Sequence, residues 1–299
     1  FKEYRGLARD TNLAGRVQAN MLMVRLNALK YLKTSTPDVL KEYSERLEKM
    51  ENFLAEARKE IQSPKRASDV EEAVKLVAQY KAGFEEVVKL IAYRNEVVNN
   101  ELNPSGKEMR EQISMLLDYT EEKNNQGAHY TIAKTAEALL LGRLYVVKFL
   151  VTNAEEDYKR AKAELGDNLK NHEKQIVGVA TSSQSREYIR VFEKNYTQYL
   201  AALDKVYDTI VKRNDIINGT LNRVGPIVAG KIEDVKLSVK RDQDILGPEA
   251  QAQAESSVAF ITWVSLISVI IGAAMSWIIT GIIKRPIGGE PQHIADITR

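Results

Sequence analysis

Between Val258 and Ile283 the chain runs 26 residues without one charged side chain, then meets Lys284 and Arg285. A helix of that length, at about 1.5 Å per residue, crosses a hydrocarbon core of roughly 30 Å with some tilt. Trp263 and Trp277 stand towards its two ends, as interfacial aromatics do. Lys284 and Arg285 abut one end while Glu249 and Glu255 precede the other. This charge bias predicts that the C-terminal side faces the cytoplasm and that everything before Val258 lies outside. The expected division is therefore an exterior domain over 1–253, a transmembrane helix over 258–283 and a cytoplasmic linker over 284–299.

The net charge of +2 gives no electrostatic footprint for nucleic acid. There are no cysteines, which excludes a disulfide framework and suits an oxidising exterior. Three scattered histidines, His129, His172 and His293, have no ligand spacing, so neither a metal site nor a cofactor is expected. No apolar segment precedes Lys2, and the expectation is a first transmembrane helix ahead of Phe1 and an output domain beyond Arg299.

No strand pattern occurs in the exterior, so the expected class is all-α. Leu13, Val17, Met21, Val24, Ala28 and Tyr31 are spaced three and four apart, one face of a first helix. Pro37 suits the first turn of a second helix, which runs to about Gln62. A third begins near Ser68 and carries Val77, Tyr80, Phe84, Val87, Ile91, Val98 and Leu102, with a kink or break expected at Asn103 to Gly106. The fourth runs from about Tyr130 to Thr152, the fifth from about Ala154 to Val179. The sixth is the longest, with Gly247 and Pro248 expected to interrupt it before the membrane.

An internal repeat organises these helices. Arg25 to Thr34, RLNALKYLKT, matches Arg143 to Thr152, RLYVVKFLVT, at five positions of ten and an offset of 118. Arg94 to Gly106, RNEVVNNELNPSG, matches Arg213 to Gly225, RNDIINGTLNRVG, at six of thirteen and an offset of 119. Two matches at nearly one offset indicate duplication. Helices one to three then correspond to four to six, and short turns make sequential helices antiparallel neighbours. The expected result is a six-helix domain of two stacked four-helix bundles sharing the long third and sixth helices. Asn95 and Asn214, on core stripes, are expected to fix register, with Arg94 and Arg213 facing each other near the junction.

The stretch PIGGEP, Pro286 to Pro291, just after a transmembrane helix, resembles the start of a HAMP linker in bacterial chemoreceptors. The duplicated six-helix exterior resembles the helical bimodular (HBM) sensor domain. That resemblance implies a methyl-accepting chemotaxis receptor in a bacterial inner membrane, its sensor domain in the periplasm. It implies further a homodimer whose cytoplasmic part would control a chemotaxis kinase with its coupling protein. Members of the family sense organic acids such as tricarboxylic acid cycle intermediates, and some bind a smaller acid such as acetate in the second bundle.

Ligand residues do not carry over from the family one by one, so candidates are read physically. A small carboxylate among helices needs cationic donors, and the arginine fork matches it with two parallel hydrogen bonds. Arg25 interrupts the row Met21, Ala28, Leu32, and Arg143 interrupts Ala136, Leu139, Val146, Leu150. By depth, Arg16, Asn20, Tyr80 and Arg223 fall near Arg25 in the lower bundle, and Tyr199 near Arg143 in the upper. No nucleophile with an adjacent base and no phosphate loop is present, so no enzyme is expected. The alternatives are a sensor histidine kinase with the same exterior, a docking surface for a periplasmic binding protein, and a structural spacer. A spacer has no reason to bury charge.

Overall fold

A computed structural model describes residues 2–284, which form six helices and no strand. The fold is all-α. Helix α1 is Lys2–Thr34 and α2 is Pro37–Glu60. Helix α3 covers 64–122 in three parts, Pro64–Val97, a π turn at Val98–Leu102, and Asn103–Glu122. Helix α4 is Gln126–Thr152. Helix α5 covers 155–179 with a π turn at Glu164–Asn168, and α6 covers 183–284 with a π turn at Ile217–Leu221.

These boundaries repeat with the offsets of the sequence matches. Thr34 ends α1 as Thr152 ends α4, and Pro37 opens α2 as Glu155 opens α5, both 118 apart. Pro64 opens α3 as Ser183 opens α6, 119 apart, and the π turns of these two helices are again 119 apart. The offset changes by one inside α5, which has a π turn that α2 lacks. A π turn absorbs one extra residue without breaking a helix, so this turn accounts for the change. The structure therefore extends the duplication from two short matches to the helix boundaries between the end of α1 and the π turn of α6.

Local chemistry explains the ends. Asn125 accepts from the Ala128 amide at the start of α4, so that helix begins four residues earlier than periodicity predicts. Asn153 closes it in the left-handed conformation. Ser182 and Ser185 form a capping box at the start of α6.

Two predicted breaks do not occur. The Asn103 to Gly106 segment stays helical because the preceding π turn shifts the pattern, with the Asn103 amide donating to Val98 five residues back. Gly247 and Pro248 lie within unbroken helix. Pro248 is exposed, so the carbonyl it leaves unpaired stands at the surface, where proline is tolerated best.

The contacts divide the chain into two compact units. One comprises 1–18, 53–70 and 232–299; Leu13, Val17, Leu54, Ile61, Val70, Val235 and Val239 are buried in it. The other comprises 19–52 and 71–231. Within this second unit α3 and α6 lie side by side and antiparallel, joined by Glu72–Lys231, Glu86–Lys212 and Glu101–Lys205 ion pairs at 2.8, 3.0 and 2.6 Å. Phe84 packs on Tyr43 and Tyr31, ring centroids 4.0 and 5.7 Å away. At the other end of the pair, Phe149, Leu139, Leu165, Leu169 and Phe192 share one core with α3 and α6.

Among the described residues one segment is long and apolar enough to cross a membrane, and none of its most apolar stretch is buried. From Val258 to Ile283 every residue is exposed, and a continuous apolar surface of that size marks a contact with membrane or with another protein. The expected linker from Arg285 to Arg299 lies outside the described residues.

Candidate functional site

Two polar sets related by the repeat lie along the α3 and α6 pair. In the first, Arg25 of α1 crosses Gly225 of α6, where a Cβ would stand 2.9 Å from both Cδ and Nε of the arginine. Its charge also reaches the buried Tyr80 of α3. In the second, Arg143 of α4 crosses Gly106 of α3, where a Cβ would meet its Nε at 3.1 Å and the Tyr199 ring at 2.7 Å. The charge of Arg143 reaches the hydroxyl of Tyr199, a residue of α6. Tyr80 and Tyr199 are 119 apart, as are Gly106 and Gly225. Each set thus takes its arginine from a short helix, and the long helices exchange the tyrosine and glycine roles between sets.

Glycine has a physical reason to be at both places. Without a Cβ, α3 and α6 leave a notch in which a guanidinium stem lies flat against backbone. Sequence reasoning found the arginines and tyrosines and missed these glycines, although both close the second repeat match.

Like Arg94 and Arg213, and unlike several other arginines, these two have no ion-pair partner among the described residues. Arg9, Arg66, Arg160 and Arg190 each pair with a carboxylate. Among the described residues, Arg25 and Arg143 form no ion pair and remain half-buried. Burial raises the Tyr80 phenol to about 12, with Arg25 drawing it back down, and Tyr199 is likewise raised to about 12 against Arg143. Both phenols therefore stay neutral and able to donate.

The first set has an addition. The Tyr43 hydroxyl is buried without a protein partner among the described residues, and its own proton is held above the usual phenol range by burial and by Tyr80. In α1 the Asn27 side chain is 1% exposed, and both its amide atoms lack protein partners. Position 161, the repeat counterpart of Tyr43, is alanine, so the second set lacks this hydroxyl.

Three further expected site residues differ in exposure. Arg223 is exposed, because it lies off the Leu221, Val224, Val228 row that α6 buries. Arg16 is also exposed, its guanidinium over the Phe53 ring at 5.2 Å. Asn20 is buried on α1. Tyr145, two positions beyond Arg143, faces Lys148 and Arg160 instead.

Between the two sets lies a second pair of repeat-related arginines. Arg94 donates to Asn95 at 2.9 Å and to the Leu150 carbonyl near the end of α4 at 2.7 Å. Arg213 donates twice to Asn214, at 3.2 and 2.8 Å. Burial lowers the pKa of both, and the charge of Arg94 lowers that of Arg213 further, so the two guanidiniums are close. Asn95 and Asn214 therefore serve as acceptors that orient half-buried cations.

No protein-family model matches this chain, and a search of curated proteins finds no match to it.

Proposed function

We propose that this chain is the sensory and membrane-crossing part of a bacterial chemoreceptor, and that its exterior binds small carboxylates at the Arg25 and Arg143 sets. One observation carries this reading: duplication has kept two half-buried arginines, each without a counter-carboxylate and each beside a neutral tyrosine and a glycine notch. A carboxylate supplies the missing negative charge and accepts from both arginine and phenol. The extra Tyr43 hydroxyl suits the first set to an acid richer in oxygens, and the second set to a smaller one.

In this reading the exterior is two stacked four-helix bundles in the periplasm, and 258–283 spans the inner membrane. A HAMP linker follows, leading to a domain that controls a chemotaxis kinase. The receptor acts as a homodimer. Exposed apolar rows support that state: Leu22, Leu26 and Leu29 on α1 recur as Leu140, Leu144 and Val147 on α4. Ligand favours one arrangement of α1 against α6 only through different affinity for two states.

Calorimetric titration of the chain in phospholipid nanodiscs with mono-, di- and tricarboxylates tests this. We expect binding that weakens at least tenfold in Arg25→Ala or Arg143→Ala. If no acid binds the folded protein, direct carboxylate sensing is wrong.

A further inference from the structure

The unit that contains the start of α1 and the pre-membrane part of α6 has an open pocket of about 490 Å³. It is distinct from the arginine–tyrosine sets. Its charged lining is Arg9, Asp10, Glu60, Arg66 and Asp242, so three carboxylates face two cations.

Both cations are already engaged. Arg9 pairs with Glu60 at 2.8 Å. Arg66 is 6% exposed and donates to the Ser238 hydroxyl and carbonyl, each at 3.1 Å, and to Asp242. Asp10 is the carboxylate left over. It is 8% exposed, and its Oδ1 is buried with no protein donor among the described residues. A buried acceptor left unsatisfied is costly, and for a carboxylate the cost rises with its charge. Burial holds the Asp10 carboxyl above its ordinary range even though Arg9 and Arg66 pull it down. The neighbouring guanidiniums therefore do not satisfy it.

What Asp10 lacks is a positively charged N–H donor small enough to enter. The remaining walls include Leu7, Ile245 and Leu246, which present apolar surface beside the carboxylate. That combination fits an ammonium head on a short alkyl body. We propose that this pocket is a second binding site, for a small primary amine whose ammonium group donates to Asp10. The occupant would tie α1 to α6 between 242 and 246, just ahead of the membrane-crossing stretch. The inference does not depend on the carboxylate reading, since Arg25 and Arg143 belong to the other unit.

The test uses the whole chain in phosphatidylcholine nanodiscs, with empty discs as the reference for partitioning. It is titrated calorimetrically with n-butylammonium chloride; tetramethylammonium, which has the charge and no N–H, and butyrate serve as controls. Saturable binding of n-butylammonium is expected, with none for tetramethylammonium. Affinity should fall at least tenfold in Asp10→Asn and stay unchanged in Arg143→Ala. Independently of any variant, n-butylammonium should raise the melting temperature of the unaltered protein more than sodium does at equal ionic strength. The proposal is overturned if n-butylammonium neither binds nor raises that temperature in helical protein. Equal affinity in folded Asp10→Asn, or equal binding of tetramethylammonium, overturns it as well.

Discussion

Gly225 lies against the stem of Arg25, so close that a Cβ there would stand 2.9 Å from Cδ and Nε. At the repeat-equivalent place, Gly106 would bring a Cβ to 2.7 Å from the Tyr199 ring. The same substitution has different consequences at the two places. The Arg25 stem is flexible and can swing away, whereas Tyr199 is 3% exposed and held in a packed core. Gly225→Ala is therefore expected to gain up to about 1 kcal/mol of helix propensity while displacing the guanidinium. Gly106→Ala is expected to lose about 1 to 3 kcal/mol to overpacking. Urea denaturation of both variants measures the difference, and titration with the acid that binds should show weaker affinity in Gly225→Ala despite its intact fold.

Arg94 and Arg213 are repeat-related, yet their substitutions should not be equivalent. Arg94 donates to the Leu150 carbonyl, satisfying a group near the C-terminus of α4 and countering the negative end of its dipole. Removing it in Arg94→Met should cost about 1.5 to 3 kcal/mol, the range for a hydrogen bond to a charged group. Arg213→Met also relieves repulsion from Arg94, so it should cost less. In a double-mutant cycle the pair should couple with the sign of repulsion. A cycle showing attraction would contradict the close like-charge pair.

How far the sequence revealed this arrangement depends on what each feature leaves in one chain. The helices were legible because burial imposes a period, as at Val17, Met21 and Val24. Arg25 and Arg143 were legible because a charge interrupts that period. Gly106 and Gly225 leave no such trace, since a glycine needed for another helix's arginine depends on long-range packing. Arg223 was placed by its depth along a helix, and its exposure reflects its direction around that helix, which depth does not give. The π turn in α5 left only a one-residue change of offset, which became interpretable once α2 and α5 could be compared.

Tyr80 and Tyr199 make the unit that contains them sensitive to alkali. A phenol in the unfolded chain titrates near about 10, whereas burial raises both to about 12 in the folded protein. The folded state keeps these protons longer, so their contribution is complete below about 10 and is lost as pH rises through about 12. Each phenol accounts for up to roughly 2 to 3 kcal/mol of that loss. Denaturation midpoints measured from pH 9 to 12 should fall steeply, and Tyr199→Phe should flatten the fall. An unchanged slope in that variant would mean that Tyr199 does not carry this share.

The continuity of α6 through Gly247 and Pro248 leads to a prediction opposite to that of a flexible joint. A Cβ at Gly247 would meet Tyr4 at 3.8 Å, ordinary van der Waals contact, and the glycine already has helical backbone. Gly247→Ala should therefore stabilise the helix by about 0.5 to 1 kcal/mol, through its propensity and the smaller entropy of the unfolded chain. Amide exchange between 243 and 252 should slow in this variant. If α6 transmits a ligand-dependent displacement as a rigid rod, stiffening this point should preserve signalling in a full receptor. Inserting two glycines after Gly247 should uncouple it while leaving carboxylate affinity intact. Loss of signalling in Gly247→Ala, with slowed exchange confirming a stiffer helix, would show instead that bending at this point is part of the signal.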